Sequence, residues 1–339
     1  MLQLHNLKVL SVSILMSALI GAAGFVSAQS IIKIDGSSTV YPITKVVADE
    51  FQIAKQGAVN VTIGISGSSG GFRKFCRSRI DIVNASRPIL KHEMAECKKA
   101  GVQYLEIPVA FDALTVVVNQ KNNWSENMTV AQLKKIWEPI AQGKVTQWSQ
   151  INPAWPDEPF NLYGPDRNSG TFDYFTEAIV GKTKSSRSDF TAADDDNALV
   201  QKVANDKNGL GFFGFAYYIE NQDKVKAVAV NAGRGAVLPS VETVEDGTYQ
   251  PLSRPVFIYV NSKMADKPEV RDFVTFYMRN ALVLVKKAKF FPLPPSAYTT
   301  MTGHFNNKRL GTVFNGIPPV SLTIDELLRR EARLEFEHN

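Results

Sequence analysis

The chain has 339 residues, 44% hydrophobic and 21% charged, with 22 Gly and 17 Pro. That is a globular composition, and it excludes wholesale disorder, collagen and coiled coil as descriptions of the whole; the length sets an expectation of about two domains. Two cysteines and four histidines leave little for a Cys/His zinc cluster, and a lone long apolar stretch at the start argues against a polytopic membrane protein.

That first stretch has the three parts of an export signal. Lys8 supplies the positive region, residues 9–26 are almost uninterrupted Leu, Ile, Val, Met, Ala, Gly and Ser, and Val26-Ser27-Ala28 offers a small-residue cleavage site. Residues 1–28 carry no acidic side chain. An uncleaved anchor is the alternative; the expectation is a mature chain from Gln29, and no cysteine near the junction could take a lipid. Losing Lys8 takes the formal charge from +5 to +4. So mild an excess suits an anionic ligand but lacks the dense basic stripe of a nucleic-acid binder.

Export changes the reading of the cysteines. Cys76 and Cys97 are the sole pair, and an oxidising compartment favours joining them. Closing a loop of about 20 residues is worth roughly 3 kcal/mol on the chain-entropy model. Two buried free thiols remain the alternative.

In chain order, Ile32 and Ile34 mark a first strand, and Ile43, Val46, Val47 and Phe51 fall at helical spacing behind Pro42, where a missing N–H does no harm. Val59, Val61, Ile63 and Ile65 alternate with polar or small residues, which is strand period. Residues 80–83, 114–118 and 256–260 are short β-branched runs and predict buried strands. Helices are expected over 130–137, 171–179, 198–205 and 270–278. Asp194-Asp195-Asp196, the one acidic run, reads as a helix N-terminal cap rather than a metal site. The alternation implies an α/β fold with helices layered on a sheet.

One pattern occurs three times: a strand, a short stretch of Gly, Ser and Thr, then an amphipathic helix. The loops are Asp35-Gly36-Ser37-Ser38-Thr39-Val40-Tyr41-Pro42, Ser66-Gly67-Ser68-Ser69-Gly70-Gly71 and Asn168-Ser169-Gly170-Thr171. The first turn of a helix has N–H groups without intrahelical partners and partial positive charge. Glycine lets a ligand approach the backbone, and hydroxyls add donors that rotate to suit. A single copy is ordinary capping chemistry. Three copies at the carboxyl ends of strands, the edge where α/β sheets bind ligands, point to an oxyanion site. Arg87, after Asn84-Ala85-Ser86, and Arg167, two residues before Ser169, are candidate cations for it. Lys74, Arg77 and Arg79 read as solvated charges.

The segments GSSTVYP, GSSGGF, NASRP and NSGTFDYF, in that order, resemble the phosphate-binding proteins of bacterial high-affinity phosphate ABC transporters, and among these the cyanobacterial type. The resemblance continues through FDALTVVVN at 111–119 and GLGFFG at 209–214, and so spans nearly the whole mature chain. It implies a two-lobed, type II periplasmic-binding fold with a ligand cleft between lobes and chain crossings near 109–114 and 253–256. Lobe one would be 29–110 plus 256–330, lobe two 111–255, and 331–339 a tail. It further implies contacts to inorganic phosphate from Ser38, Thr39, Val40, Ser68, Ser169, Gly170 and Thr171, with Ser69, Ser86, Arg87 and Arg167 as further candidates. The implied partners are membrane permease subunits of an importer, met in the periplasm by a monomer that needs no cofactor or metal, binds no nucleic acid and catalyses nothing.

The chain departs from the family pattern twice. Many members carry Asp where this chain has Ser86, and Arg where it has Pro165. The first takes a phosphate proton and the second supplies charge. Arg87 or Arg167 could replace the cation, Ser86 or backbone carbonyls could replace the acceptor, and discrimination against sulfate is left open. Two enzyme readings compete. Gly67-Ser68-Ser69-Gly70-Gly71 satisfies the nucleophile-elbow pattern of a serine hydrolase, but only His92, His304 and His338 could then act as base, in no recognisable triad order. A phosphate-ester hydrolase on the same cradle would need a metal or a covalent nucleophile, for which no ligand cluster is evident. An adhesion or signalling role on the same fold is a third class.

Overall fold

The computed structural model describes residues 29–167, 169–319 and 322–333. Residues 1–28, read above as an export signal, Asn168 and His338 lie outside them. Strand-period sequence produces β1 (Ser30–Gly36), β2 (Val59–Ile63), β3 (Ile82–Ala85) and the long β4 (Tyr104–Asn119), then β5 (Asn127–Thr129), β6 (Asn161–Pro165), β7 (Thr191–Ala193) and β8 (Gly209–Gly214). Short β9 (Val225–Ala227), β10 (Ala229–Asn231) and β11 (Ala236–Val237) precede β12 (Ser253–Asn261). The helices are α1 (Tyr41–Ala54), α2 (Gly67–Phe75), α3 (Lys91–Lys99), α4 (Val130–Trp137), α5 (Gly170–Phe175), α6 (Asp196–Ala204), α7 (Phe215–Glu220), α8 (Val241–Glu245), α9 (Pro268–Lys287), α10 (Pro295–Asn306) and α11 (Ile324–Arg333). Helix α11 continues past residue 330, and its Glu331 is buried.

Among the described residues a nine-stranded sheet runs β2-β1-β3-β12-β4-β8-β6-β7, with β9 also on β4. β4 is buried throughout and serves two neighbourhoods. Residues 104–113 pair antiparallel with β12, whereas 114–119 pair antiparallel with β8 and β9. On one side β1 lies parallel to β2 and β3, covered by α1, α2 and α9; on the other β6 lies parallel to β7 and β8, covered by α6. The result is a two-lobed α/β molecule whose lobes are joined through β4 and β12. No helix among the described residues is long and apolar enough to cross a membrane.

Several expected elements differ in length for physical reasons. The run 114–118 is the end of a 16-residue strand, because β4 exchanges one partner for another partway along. The helix expected over 171–179 is α-helical only to Phe175, and residues 176–180 widen into a π turn. There Thr176 turns its hydroxyl back onto the Phe172 and Asp173 carbonyls and accepts from the Lys184 N–H, competing with the regular ladder. The glycines at 70–71 lie inside α2 rather than before it. A Cβ on Gly71 would stand 2.5 Å from Val83 Cγ2 and 2.7 Å from Gly36 Cα, so the absent side chain lets α2 press onto β1 and β3. The disulfide Cys76–Cys97 then ties the end of α2 to α3.

Candidate anion-binding site

Each of the three Gly/Ser/Thr loops follows the carboxyl end of a strand: β1 to α1, β2 to α2 and β6 to α5. Because β1, β2 and β3 run parallel, the loops at 37–40 and 64–67 and the Ser86-Arg87 turn leave one edge of lobe one. The third loop comes from lobe two and meets them face on. Thr39 Oγ1 and Thr171 Oγ1 are 2.6 Å apart, and both residues are buried. Ser68 Oγ lies 3.2 Å from Ser86 Oγ and accepts the Ser86 N–H at 3.1 Å.

Gly170 shows how tight the meeting is. A Cβ there would lie 2.0 Å from Ser86 Oγ and 2.7 Å from Ser68 Oγ. Only glycine lets the backbone of lobe two approach the two lobe-one hydroxyls. Ser169 caps α5, its Oγ accepting from the Thr171 N–H at 3.1 Å, so this N-terminus is held in register with the meeting point. Val40, at the start of α1, is fully buried beside Thr39. Ser38 and Ser169 line an adjoining cleft of about 270 Å³ with Ile65, Ser66, Gly67, Arg73, Asp166 and Asp194. At that mouth a hydrogen bond to Asp166 raises the pKa of Asp194. Its neighbour Asp195 caps α6 through Asn197 N–H at 3.0 Å.

The two candidate cations fare differently. Arg167 is exposed. Arg87 is buried and reaches the site, but most of its donors are committed. Glu93 receives both Nη1 and Nη2, at 2.9 and 2.8 Å, while Pro88 O and Ser69 Oγ take further bonds. Across the lobe boundary its Nε faces Asp173 Oδ2 at 3.7 Å. Burial opposes the Arg87 charge, yet the Glu93 and Asp173 carboxylates outweigh it and leave its pKa raised. The Asp173 pKa is raised too, but by burial, which pushes its carboxyl up to about 6 although Lys184 and Arg87 draw it down. Ser69, the nucleophile of the hydrolase reading, accepts from Arg87 rather than from an imidazole. His304 is buried against Glu331, and His92 is exposed. Lys74 is not simply solvated, for its ammonium pairs with Asp35.

Three charged groups at the site were assigned no role from the sequence. Arg254 on β12 donates to Gly170 O (2.8 Å), Thr171 Oγ1 (3.0 Å) and Thr39 Oγ1 (3.3 Å), and pairs with Asp112 Oδ2 at 3.2 Å. Burial raises Asp112 to about 6 despite that guanidinium. Asp112 falls within FDALTVVVN and Asp173 within NSGTFDYF, but their apolar neighbours gave no hint of a charged partner. For Arg254 the usable signal was a cation beside the expected crossing at 253–256.

Loops from two lobes aimed at one buried point, with hydroxyls and a guanidinium there, are the architecture of a two-lobed solute-binding protein. A family model described as a PBP superfamily domain matches residues 23–281. Protein SphX of Synechocystis sp. is 51% identical over 90% of both chains, and phosphate-binding protein PstS of Staphylococcus saprophyticus is 36% identical over 88% of this chain and 92% of its own. Among solved structures, a possible phosphate-binding protein from Planctomyces limnophilus superposes with TM-score 0.64 at 46% identity, covering 83% of this chain and 99% of the other. A putative phosphate ABC transporter substrate-binding protein with bound phosphate, from Clostridium perfringens, gives 0.65 at 26%, covering 78% and 100%. The chain belongs to the PBP superfamily and stands within it beside the SphX and PstS proteins.

Proposed function

We propose that this protein captures inorganic phosphate between its lobes and delivers it to the permease subunits of an ABC importer. The observation that carries the reading is the contact between Thr39 and Thr171 at 2.6 Å, hydroxyls of opposite lobes, with Ser68, Ser86 and the Gly170 backbone closing around them. Such a set offers rotatable donors, which a tetrahedral oxyanion takes on every face. Relatives named for phosphate binding supply the choice among oxyanions.

In this reading lobe one comprises 29–110 plus 256–330 and lobe two 111–255, and closure is a hinge motion in which bound ligand selects the closed state. Ser38, Thr39, Val40, Ser68, Ser86, Ser169, Gly170 and Thr171 form the cradle, while Ser69 and Arg87 brace it from lobe one. The protein works as a monomer outside the cytoplasm, in keeping with the export-type sequence at 1–28, and without catalysis, in keeping with a Ser69 hydroxyl held by a guanidinium. The test is equilibrium uptake of radiolabelled phosphate by purified protein. One phosphate per chain is expected, displaced by arsenate and not by sulfate; no uptake, or equal displacement by sulfate, would overturn it.

A further inference from the structure

We infer that Arg254 is a positioning residue that couples the ligand hydroxyls to the interlobe hinge, holding Thr39 and Thr171 as donors toward an oxyanion. The inference rests on the phosphate reading above and names a residue that none of the loop motifs contains.

Arg254 and Asp112 are register partners on β12 and β4, just where β4 leaves one half of the sheet for the other. The ion pair therefore lies on the connection between lobes. From there the guanidinium reaches Thr39 in one lobe, and Gly170 and Thr171 in the other. Tyr174, one turn into α5, packs its ring against the same guanidinium at 5.3 Å and bonds its hydroxyl to Pro251 O and Ser253 O. The third loop is thus tied twice to the strand that carries Arg254.

The hydrogen count then fixes a polarity. An arginine only donates, so each threonine oxygen it meets acts as acceptor and keeps its own hydrogen for another partner. One of the two hydroxyl hydrogens is used between Thr39 and Thr171 in the closed arrangement, and the other is left to donate outward. A donor bonded to a cation is polarised and stronger. The bond to Gly170 O also occupies a carbonyl oxygen whose lone pairs would otherwise repel an anion. Asp112 balances the buried charge through a single oxygen, Oδ2, at 3.2–3.3 Å, and so leaves the rest of the guanidinium to the cradle.

The experiment compares wild type, Arg254→Lys, Arg254→Gln and the double variant Arg254→Gln/Asp112→Asn. Phosphate binding is read by calorimetry, ligand-induced compaction by solution scattering, and folding by thermal melts. The double variant removes both charges, so its fold does not have to bury an unpaired carboxylate. It is expected to melt near wild type yet bind phosphate about a hundredfold more weakly and lose the compaction. Lysine, which can donate to the hydroxyls but not to all four partners, should recover about tenfold of that loss. Affinity within about threefold of wild type in the folded double variant, with compaction intact, would overturn the inference while leaving phosphate binding standing. Absence of binding by wild type would overturn both.

Discussion

Arg87 and Arg254 are both buried beside the same cradle, yet their company differs. Arg87 follows the Asn84-Ala85-Ser86 segment and spends its strongest bonds inside lobe one, on both oxygens of Glu93, with only Nε turned across the cleft toward Asp173 at 3.7 Å. Arg254 stands 83 residues from Thr171 and 215 from Thr39, holds one carboxylate oxygen loosely, and gives its shortest bond to the loop at 169–171. A guanidinium saturated by a bidentate partner is a structural brace. One with donors shared among hydroxyls of two lobes is placed to respond to what those hydroxyls bind.

The contrast can be broken most severely at the point both arginines surround. Gly170→Ala puts a methyl 2.0 Å from Ser86 Oγ, and either the loop or the serine must move. Phosphate affinity should drop by more than about a hundredfold in the calorimetric titration, with the chain still folded. Retained affinity would show that the lobes need not approach so closely.

Arg87→Met should act mainly on stability. It strands the buried Glu93, and breaking such a pair costs about 3–5 kcal/mol. Denaturant melts should register that loss, while Arg87→Met/Glu93→Gln recovers most of it. If the double variant is stable and also fails to bind phosphate, Arg87 belongs with Arg254 after all.

The smallest effect is the one at Asp173. Its folded pKa, about 6, lies above the ordinary carboxylate value because of burial. A raised carboxyl pKa contributes stability that is fully present below the unfolded value near 4 and is lost as pH rises through about 6. Asp173→Asn should therefore change little at pH 4 and stabilise the protein by about 2 kcal/mol above pH 7. Melting both proteins between pH 4 and 8 checks the sign. An Asn variant that falls below wild type in stability as pH rises would mean that the Arg87 contact dominates instead.

Much of the fold was legible because its signals are local. Alternation at 59–63 and helical spacing at 43–51 write β2 and α1 into neighbouring residues, and Pro42 marks the start of α1. The Ser and Thr hydroxyls of the cradle were legible for the same reason, since capping chemistry requires them within a few residues of a helix start. Arg254 and Asp112 were not. Their relation is a cross-strand register across 142 residues, and nothing in the local pattern distinguishes a hinge arginine from a surface one. Arg167 is the converse: adjacent to the third loop in sequence, exposed in space.

By itself the sequence determined the order of strands and helices, the three donor-rich loops and the glycines that let them close, because each depends on short-range backbone and capping energetics. Only the tertiary structure decided which charges face the ligand hydroxyls. Burying a cation demands a compensating partner, and which partner is within reach depends on strand pairing and lobe closure, which bring together residues that no stretch of sequence holds side by side.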